Sequence, residues 1–121
     1  MTIDDKTQEK WEVQLRKGSL ELVILAALKD RTLYGLELLK VLQSFKSTAI
    51  AEGTLYPLLD RLKREDLLDA QWVQEGDIRP RKYYSLTKDG QKEVDNKMAE
   101  LQGFVENLQR ILNPNWNPGL T

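Results

Sequence analysis

The sequence predicts a mainly α-helical α+β domain, in which one small β-hairpin separates a group of helices from a long C-terminal helix. Three observations support this fold class. Apolar residues recur at helical spacing in the segments before Leu68. Between Asp69 and Leu86 the apolar period changes to that of short strands, with a Gly76-Asp77 turn signal between them. From Val94 to Leu112 the apolar spacing is again that of a single long helix.

The composition excludes several classes of site. The 121 residues fit one domain, and they include no cysteine and no histidine. Disulfides, zinc thiolates and thiol nucleophiles are therefore excluded, as are the commonest general base and the commonest metal ligand. Nearly all the carboxylates lie in amphipathic helical segments as solvated charges. We therefore predict that the protein is not an enzyme and has no catalytic residues, metal site or cofactor.

Charge and hydropathy bear on the partner and the compartment. No apolar run approaches the roughly twenty residues that a membrane-spanning helix needs, and the acidic N-terminus does not resemble a signal peptide. We therefore expect a cytoplasmic protein with no membrane partner. The net charge of −1 weighs weakly against nucleic-acid binding. The distribution of charge matters more, because residues 78–88 contain four basic residues and no acidic one.

The first two predicted helices differ in their expected roles. The first carries Trp11 and Leu15 on one face, and Gly18 is expected to end it. Trp11 either folds onto its own domain or contacts a partner. Ser19 is placed to cap a second helix that runs to about Lys29. Because this second helix is apolar nearly all round, we predict that it forms the centre of the core.

A third helix follows a short turn, with Thr32 as the expected N-cap. It runs from about Tyr34 to Phe45, and Phe45 lies on the same apolar face as Leu42. Gly35 in its first turn costs some helix stability. A close crossing with another helix would explain that glycine.

The segment from Glu52 to Leu68 predicts a fourth helix, capped by Thr54 and ended by Asp66 in a left-handed conformation. Its leucines form an apolar stripe, as in many surface helices. A short polar connection separates it from the third helix, which gives a helix-turn-helix; the second helix of that motif can enter the major groove. The outward face carries Tyr56, Asp60, Arg61, Lys63 and Arg64.

Two strands follow, over about Asp69 to Glu75 and Arg81 to Leu86. The loop between them and the second strand carry basic residues that can reach phosphates or a narrow minor groove. A basic hairpin after a helix-turn-helix predicts a winged helix-turn-helix. The alternatives are a plain solvated hairpin, and a winged-helix module that binds protein rather than DNA. The basic candidates for DNA contact are Arg61, Arg64, Arg79, Arg81 and Lys82.

The last helix is expected to begin after a Thr87 cap and to run from Lys88 to about Leu112. Its apolar residues are spaced 4, 3, 4, 3, 4, a heptad seam over roughly two and a half repeats. The seam could pack against the helix of Trp11 in the same chain. Because the domain already has a core, we predict a homodimer interface instead. Its predicted residues are Trp11, Leu15, Val94, Met98, Leu101, Phe104, Val105, Leu108 and Leu112.

The seam is also a predicted ligand site, at Met98, Leu101 and Phe104, because methionine repacks easily around varied shapes. An apolar or phenolic small molecule bound there would act as an effector of DNA binding. The alternative is a filled, dry interface. The predicted organisation is an arm that aids dimerisation over 1–18, a winged-helix DNA-binding domain over 19–87, a dimerisation helix over 88–112 and a mobile tail over 113–121.

Four motifs occur in a fixed order: Gly18–Leu28, Tyr34-Gly35, Glu52–Leu62, and Pro80–Thr87 with Gly90. Together they resemble the PadR family of bacterial transcriptional regulators, over about residues 18 to 92. The length is similar to that of the family's short subgroup, which has a single C-terminal helix. The resemblance implies a winged-helix dimer that binds operator DNA, usually as a repressor that a small molecule releases.

The resemblance also implies which residues contact DNA, namely Thr54, Tyr56, Pro57, Arg61, Arg81 and Lys82. Two regions depart from the family pattern. Asp66 occupies a position where relatives often have glycine. This departure affects the shape of the chain at that position rather than its role. Leu101 and Phe104 occupy the region where some multidrug-sensing members have a tryptophan that stacks on flat drugs. A flat aromatic ligand would therefore lack that partner here.

Overall fold

The computed structural model describes residues 5–120, which form four helices and one three-stranded antiparallel sheet with strand order β1-β3-β2. This architecture confirms the predicted fold class. In chain order the elements are α1 (Asp5–Ala27), β1 (Leu33–Tyr34), α2 (Gly35–Leu42), α3 (Glu52–Arg64), β2 (Leu68–Val73), β3 (Arg81–Leu86) and α4 (Lys88–Leu112).

The two predicted N-terminal helices are one continuous helix, α1, so the predicted break at Gly18 is wrong. Nothing lies within 4 Å of a Cβ built on Gly18, and glycine is tolerated in a helix whose other turns are stable. Ser19 is not an N-cap. Its hydroxyl donates to the Leu15 carbonyl oxygen at 2.8 Å, one turn earlier in the same helix. The C-terminal half of α1 lies at the centre of the core, as predicted.

The helix α2 begins one step later and ends earlier than predicted. Its N-cap is Tyr34 rather than Thr32, and the Glu37 carboxylate accepts a hydrogen bond from the Tyr34 N–H at 3.1 Å. The helix ends at Leu42, so Phe45 lies beyond it with 66% of its surface exposed. The predicted apolar face therefore does not include Phe45.

The helix α3 begins at Glu52 with Ala51 as its N-cap, so the predicted Thr54 cap is wrong. Pro57 consequently lies in the second turn of the helix rather than in its first. The predicted C-terminal end is confirmed, because Asp66 has φ = 60° and the Leu67 N–H donates to the Leu62 carbonyl oxygen at 3.0 Å. This is the hydrogen bond of a Schellman closure, with aspartate at the usual glycine position.

The strand β3 has the predicted bounds, whereas β2 ends at Val73 rather than at Glu75. Gly76, with φ = 61°, makes the predicted turn between them. The two-residue strand β1 was not predicted; its Tyr34 pairs with Tyr83 of β3. We call β2, β3 and the loop between them the wing.

The helix α4 has the predicted bounds and cap. The Thr87 hydroxyl accepts from the Gly90 N–H at 3.0 Å and donates to the Asp66 carbonyl oxygen at 2.6 Å, which joins the cap of α4 to the end of α3. An ion pair of 2.8 Å between Lys29 and Asp95 joins the turn that follows α1 to α4, and this hydrogen bond raises the pKa of Lys29.

One core occupies the space between α1, α2, α3, the sheet and the first turns of α4. Val94 belongs to this core and is 3% exposed, so its predicted place in a dimer interface is wrong. Within residues 5–120 no helix is long and apolar enough to cross a membrane. The largest side chains that are at most 2% exposed are Ile24, Leu25, Leu28, Leu38, Leu42, Leu55, Leu59, Leu62 and Leu68.

Candidate nucleic-acid interface

The outer face of α3 points away from the core. Because the buried leucines of α3 occupy one side of the helix, its 3.6-residue period places Pro57, Asp60 and Arg64 on the opposite side. All three are exposed, and so is Thr54 in the first turn. We call these four residues the outer face of α3. Three of them, all but Asp60, are predicted DNA contacts, and a duplex would meet them without any rearrangement of the core.

Tyr56 is half-buried against the first residue of α2. A Cβ on Gly35 would lie 2.6 Å from the Tyr56 hydroxyl oxygen and 2.9 Å from the nearest ring carbon. These distances confirm the close helix crossing that the sequence predicts at Gly35. The contact fixes the Tyr56 ring beside the N-terminus of α2, at the edge of the surface that α3 presents.

Gly35→Ala is expected to lower the free energy of unfolding by about 1–3 kcal/mol, because the new methyl group overpacks against Tyr56. Helix propensity alone would favour alanine. Urea unfolding measures the change. In a Tyr56→Ala background the same substitution should cost much less. Gly18→Ala is the matched control, since its methyl group meets open space and should stabilise α1. An equal effect at both glycines would contradict the proposed clash.

Arg61 is turned toward α1 rather than toward the outer face of α3. Its guanidinium forms an ion pair with the Glu21 carboxylate of α1, and a second one, at 3.8 Å, with Glu65 one turn later in α3. Its side chain is 45% exposed. Arg61 therefore joins α3 to α1 in the free chain, and a phosphate would have to compete with two carboxylates for it.

Two basic side chains of the wing, Arg81 and Lys82, lie against aromatic rings. The Arg81 guanidinium lies 4.5 Å from the centroid of the Tyr34 ring, which in turn meets the Tyr83 ring edge-on at 5.6 Å. The Lys82 ammonium lies 5.8 Å from the Tyr84 ring. Cation–π contacts of this kind orient a long basic side chain without neutralising its charge.

A groove of about 640 Å³ lies between α3 and the wing, and we call it the wing groove. It brings the predicted helix and wing residues together, because Tyr56 and Asp60 line one side and Arg79, Arg81 and Lys82 line the other. Thr54, Pro57, Arg61 and Arg64 do not line it. The structure therefore presents two adjoining surfaces, the outer face of α3 and a basic groove beside it.

Tyr84 forms the floor of the wing groove. Burial raises the pKa of its phenol, and the negative charge of Asp60 and the neighbouring Tyr56 add to the increase. The phenol is therefore uncharged at neutral pH and adds no negative charge to the groove. Asp60 is the one acidic residue among the residues that line it.

A second, apolar groove of about 670 Å³ lies between α1 and α4, and we call it the α1–α4 groove. Leu112, a predicted interface residue, does not line it and is 78% exposed. Trp11 lies on this groove with 63% of its surface exposed, so it does not fold into the core of its own domain. The predicted interface residues that do line the groove are Trp11, Leu15, Met98, Leu101, Phe104, Val105 and Leu108.

Three residues of the site were not predicted from the sequence. Glu21 holds Arg61, Tyr34 holds Arg81, and Trp72 lies in the wing groove beside Lys82. The hairpin register could have indicated Trp72, because it is directly opposite Lys82 in the pairing of β2 with β3. The other two contacts join segments that are distant in sequence, and no local pattern indicates them.

The family model of the PadR-like transcriptional regulators matches residues 24–96, which include the core, α2, α3 and the wing. The chain belongs to this family. The match confirms the resemblance that the four motifs indicate. It covers the outer face of α3 and the wing groove completely. It does not cover the N-terminal part of α1 or most of the residues that line the α1–α4 groove.

Solved structures of PadR-family proteins have the same fold. A PadR family transcriptional regulator from Eggerthella lenta is 31% identical, with a TM-score of 0.79 over 92% of this chain and 96% of its own. A PadR-like transcription factor from Bacteroides fragilis is 36% identical, with a TM-score of 0.71 over 84% and 98% of the two chains. PadR of Bacillus subtilis, solved with operator DNA, is 23% identical, with a TM-score of 0.59 over 65% and 46%.

Proposed function

We propose that this PadR-like regulator binds double-stranded operator DNA through the outer face of α3 and the wing. The observation that carries the proposal is the wing groove, in which three basic residues of the wing face the side of α3. When α3 enters the major groove of a duplex, a phosphate backbone lies beside the helix, at the position of the basic side chains of the wing. Bacillus subtilis PadR, which has the same fold, was solved in complex with operator DNA, and this supports DNA as the partner.

The proposed contacts divide into two kinds. Arg64, exposed on the outer face of α3, is suited to a bidentate contact with a guanine edge, and Thr54 and Pro57 to close packing on bases or the backbone. Tyr56 lies where its hydroxyl can reach a phosphate. Arg79, Arg81 and Lys82 would bind phosphates or the minor groove, which contributes affinity more than sequence preference. Arg61 would contact DNA only by leaving Glu21.

Selection from random duplex DNA tests the proposed function. A DNA-binding regulator is expected to enrich one sequence with two related half-sites, since a dimer presents two copies of α3 to successive major grooves about 34 Å apart. The winged-helix module that binds protein instead, which the net charge of −1 favours slightly, would enrich no sequence. Retention of random DNA at low salt without enrichment would leave only a non-specific binder.

We infer that the α1–α4 groove is the homodimer interface. Its lining is almost wholly apolar and lies mainly on α1 and α4, with further residues from the end of α2 and the loop that follows it. Exposed apolar patches of this extent are typical of protein–protein interfaces. The interface would comprise the groove residues Trp11, Leu15, Met98, Leu101, Phe104, Val105 and Leu108, together with the exposed Leu112 outside the groove, and without Val94.

We also propose that the regulator is a repressor in the cytoplasm, and that an apolar or phenolic effector releases it from DNA. The α1–α4 groove has the volume of a small-molecule site, and Met98, Leu101 and Phe104 lie on its α4 side. In a dimer, a ligand there would change the spacing of the two α3 helices. Such a ligand acts only through a difference in its affinity for the two dimer shapes.

Titration of the operator complex with hydrophobic and phenolic compounds is expected to find one that lowers DNA affinity by about 5- to 150-fold, the usual range of coupling between two sites. Fluorescence anisotropy of labelled operator measures the affinity, and the emission of Trp11 in a Trp72→Phe, Trp116→Phe variant without DNA reports compound binding in the groove. Phe104→Ala should weaken the response to the compound relative to the variant's own DNA affinity, measured at a protein concentration at which light scattering shows it to be dimeric. The effector proposal fails if no compound changes DNA affinity.

A further inference from the structure

Trp72 is exposed to an unusual extent for a tryptophan. It lies on β2 with 70% of its surface in solvent, whereas the Tyr84 ring on the neighbouring strand is almost completely buried. Single exposed apolar residues are common on protein surfaces. Trp72, however, is not isolated, because its position in the sheet register is directly opposite Lys82.

Lys82 lies between two aromatic rings. Its ammonium is 5.9 Å from the centroid of the Trp72 ring and 5.8 Å from that of Tyr84. One ring is in the core and the other is in solvent, so the pair of Lys82 and Trp72 presents a positive charge next to a flat apolar surface. No carboxylate within the described residues forms a salt bridge with Lys82.

The surroundings of this pair indicate what it binds. Both residues line the wing groove, where Arg79 and Arg81 add two further positive charges against the single carboxylate of Asp60. A partner for this surface must therefore combine negative charge with an apolar face, at a spacing of a few ångströms. The sugar–phosphate backbone of DNA has that combination, since each phosphate adjoins the apolar face of a deoxyribose.

We propose that Trp72 and Lys82 together bind one sugar–phosphate unit of the DNA backbone between the α3 contact and the wing tip. Lys82 pairs with the phosphate, and the Trp72 indole packs on the adjoining deoxyribose. This inference rests on the proposed DNA-binding function and extends it to a residue of the opposite strand of the wing. The contact would be independent of base sequence, because every nucleotide of the duplex offers the same sugar and phosphate.

The test compares Trp72→Ala with Lys82→Ala in operator binding at several salt concentrations. Trp72→Ala is expected to weaken binding to the selected operator and to random DNA by a similar factor, about tenfold, comparable to other aromatic contacts with nucleic acid. Its salt slope should equal that of the wild type, because an apolar contact releases no counterions. Lys82→Ala should reduce the slope by about one unit per lost phosphate contact. Trp116→Ala, an exposed tryptophan after α4, is the matched control.

Two further measurements distinguish loss of the Trp72 contact from a general effect on folding. Trp72→Phe should retain part of the affinity and fold normally, since most of the side chain is in solvent. DNA binding should also quench tryptophan emission in the wild type and much less in Trp72→Phe. Wild-type affinity in Trp72→Ala, together with weakened binding by Lys82→Ala, would overturn this inference and leave the proposed function intact. If the wild type binds no duplex even at low salt, the proposed function itself fails.

Discussion

Replacing Arg81 and Lys82 together with alanine is expected to weaken binding to every duplex by about the same factor. These two basic residues lie at the start of β3 and line the wing groove, where phosphates are their expected partners. Each lost phosphate contact should reduce the slope of log affinity against log salt by about one unit.

Fluorescence anisotropy with the selected operator and with a scrambled duplex measures the effect. The ratio of the two affinities should change little, because wing contacts carry little sequence information. A double variant with Lys10→Ala and Arg110→Ala has the same change in net charge, and neither residue lines the wing groove. If the wing variant bound both duplexes as tightly as the wild type, the wing would not be a DNA contact.

Leu101→Lys is expected to convert the dimer into a monomer or an aggregate. Leu101 lies on the α1–α4 groove and is 42% exposed in the single chain, so a lysine there leaves the fold of one chain intact. In the proposed dimer the same ammonium would be buried without a partner, which costs several kcal/mol. Light scattering measures the mass, and operator affinity should fall with it because two half-sites are no longer bound together.

Ala99→Lys is the control for Leu101→Lys. It introduces the same charge into α4 at an exposed position that lines none of the grooves described above. The control should remain a dimer with wild-type operator affinity. A stable, unchanged dimer in Leu101→Lys would move the interface to another surface, and the effector site proposed at Met98 and Phe104 would then lose its location.

Local patterns were sufficient to predict most of the helices and the hairpin. The bounds of α4 and β3, and the left-handed end of α3 at Asp66, follow from periodicity and capping chemistry that neighbouring residues supply. The errors arise where tertiary packing outweighs a local signal. Gly18 does not interrupt α1, and β1 consists of two residues that are a strand only because β3 lies beside them.

In the candidate site, too, the features set by local sequence could be predicted and those set by tertiary contacts could not. The outer face of α3 and the basic residues of the wing can be read from the sequence, because helical period and charge runs are local properties. The ion pair of Arg61 with Glu21 and the stacking of Arg81 on Tyr34 cannot, since each joins segments far apart in the chain. Val94 fits the heptad spacing of the predicted interface, but it is buried because the first turns of α4 pack on the core. Only the later residues of the heptad seam, from Met98 onward, are exposed.

The salt dependence of wild-type binding to a selected duplex tests the central claim most directly. If the outer face of α3 and two wings bind operator DNA, log affinity should fall linearly with log salt. The four Arg81 and Lys82 side chains of a dimer alone should give a slope of about −3.6. The selected duplex should also bind more tightly than a scrambled one at every salt concentration. Absence of binding at low salt, or an affinity for duplex DNA that does not change with salt, would contradict the account.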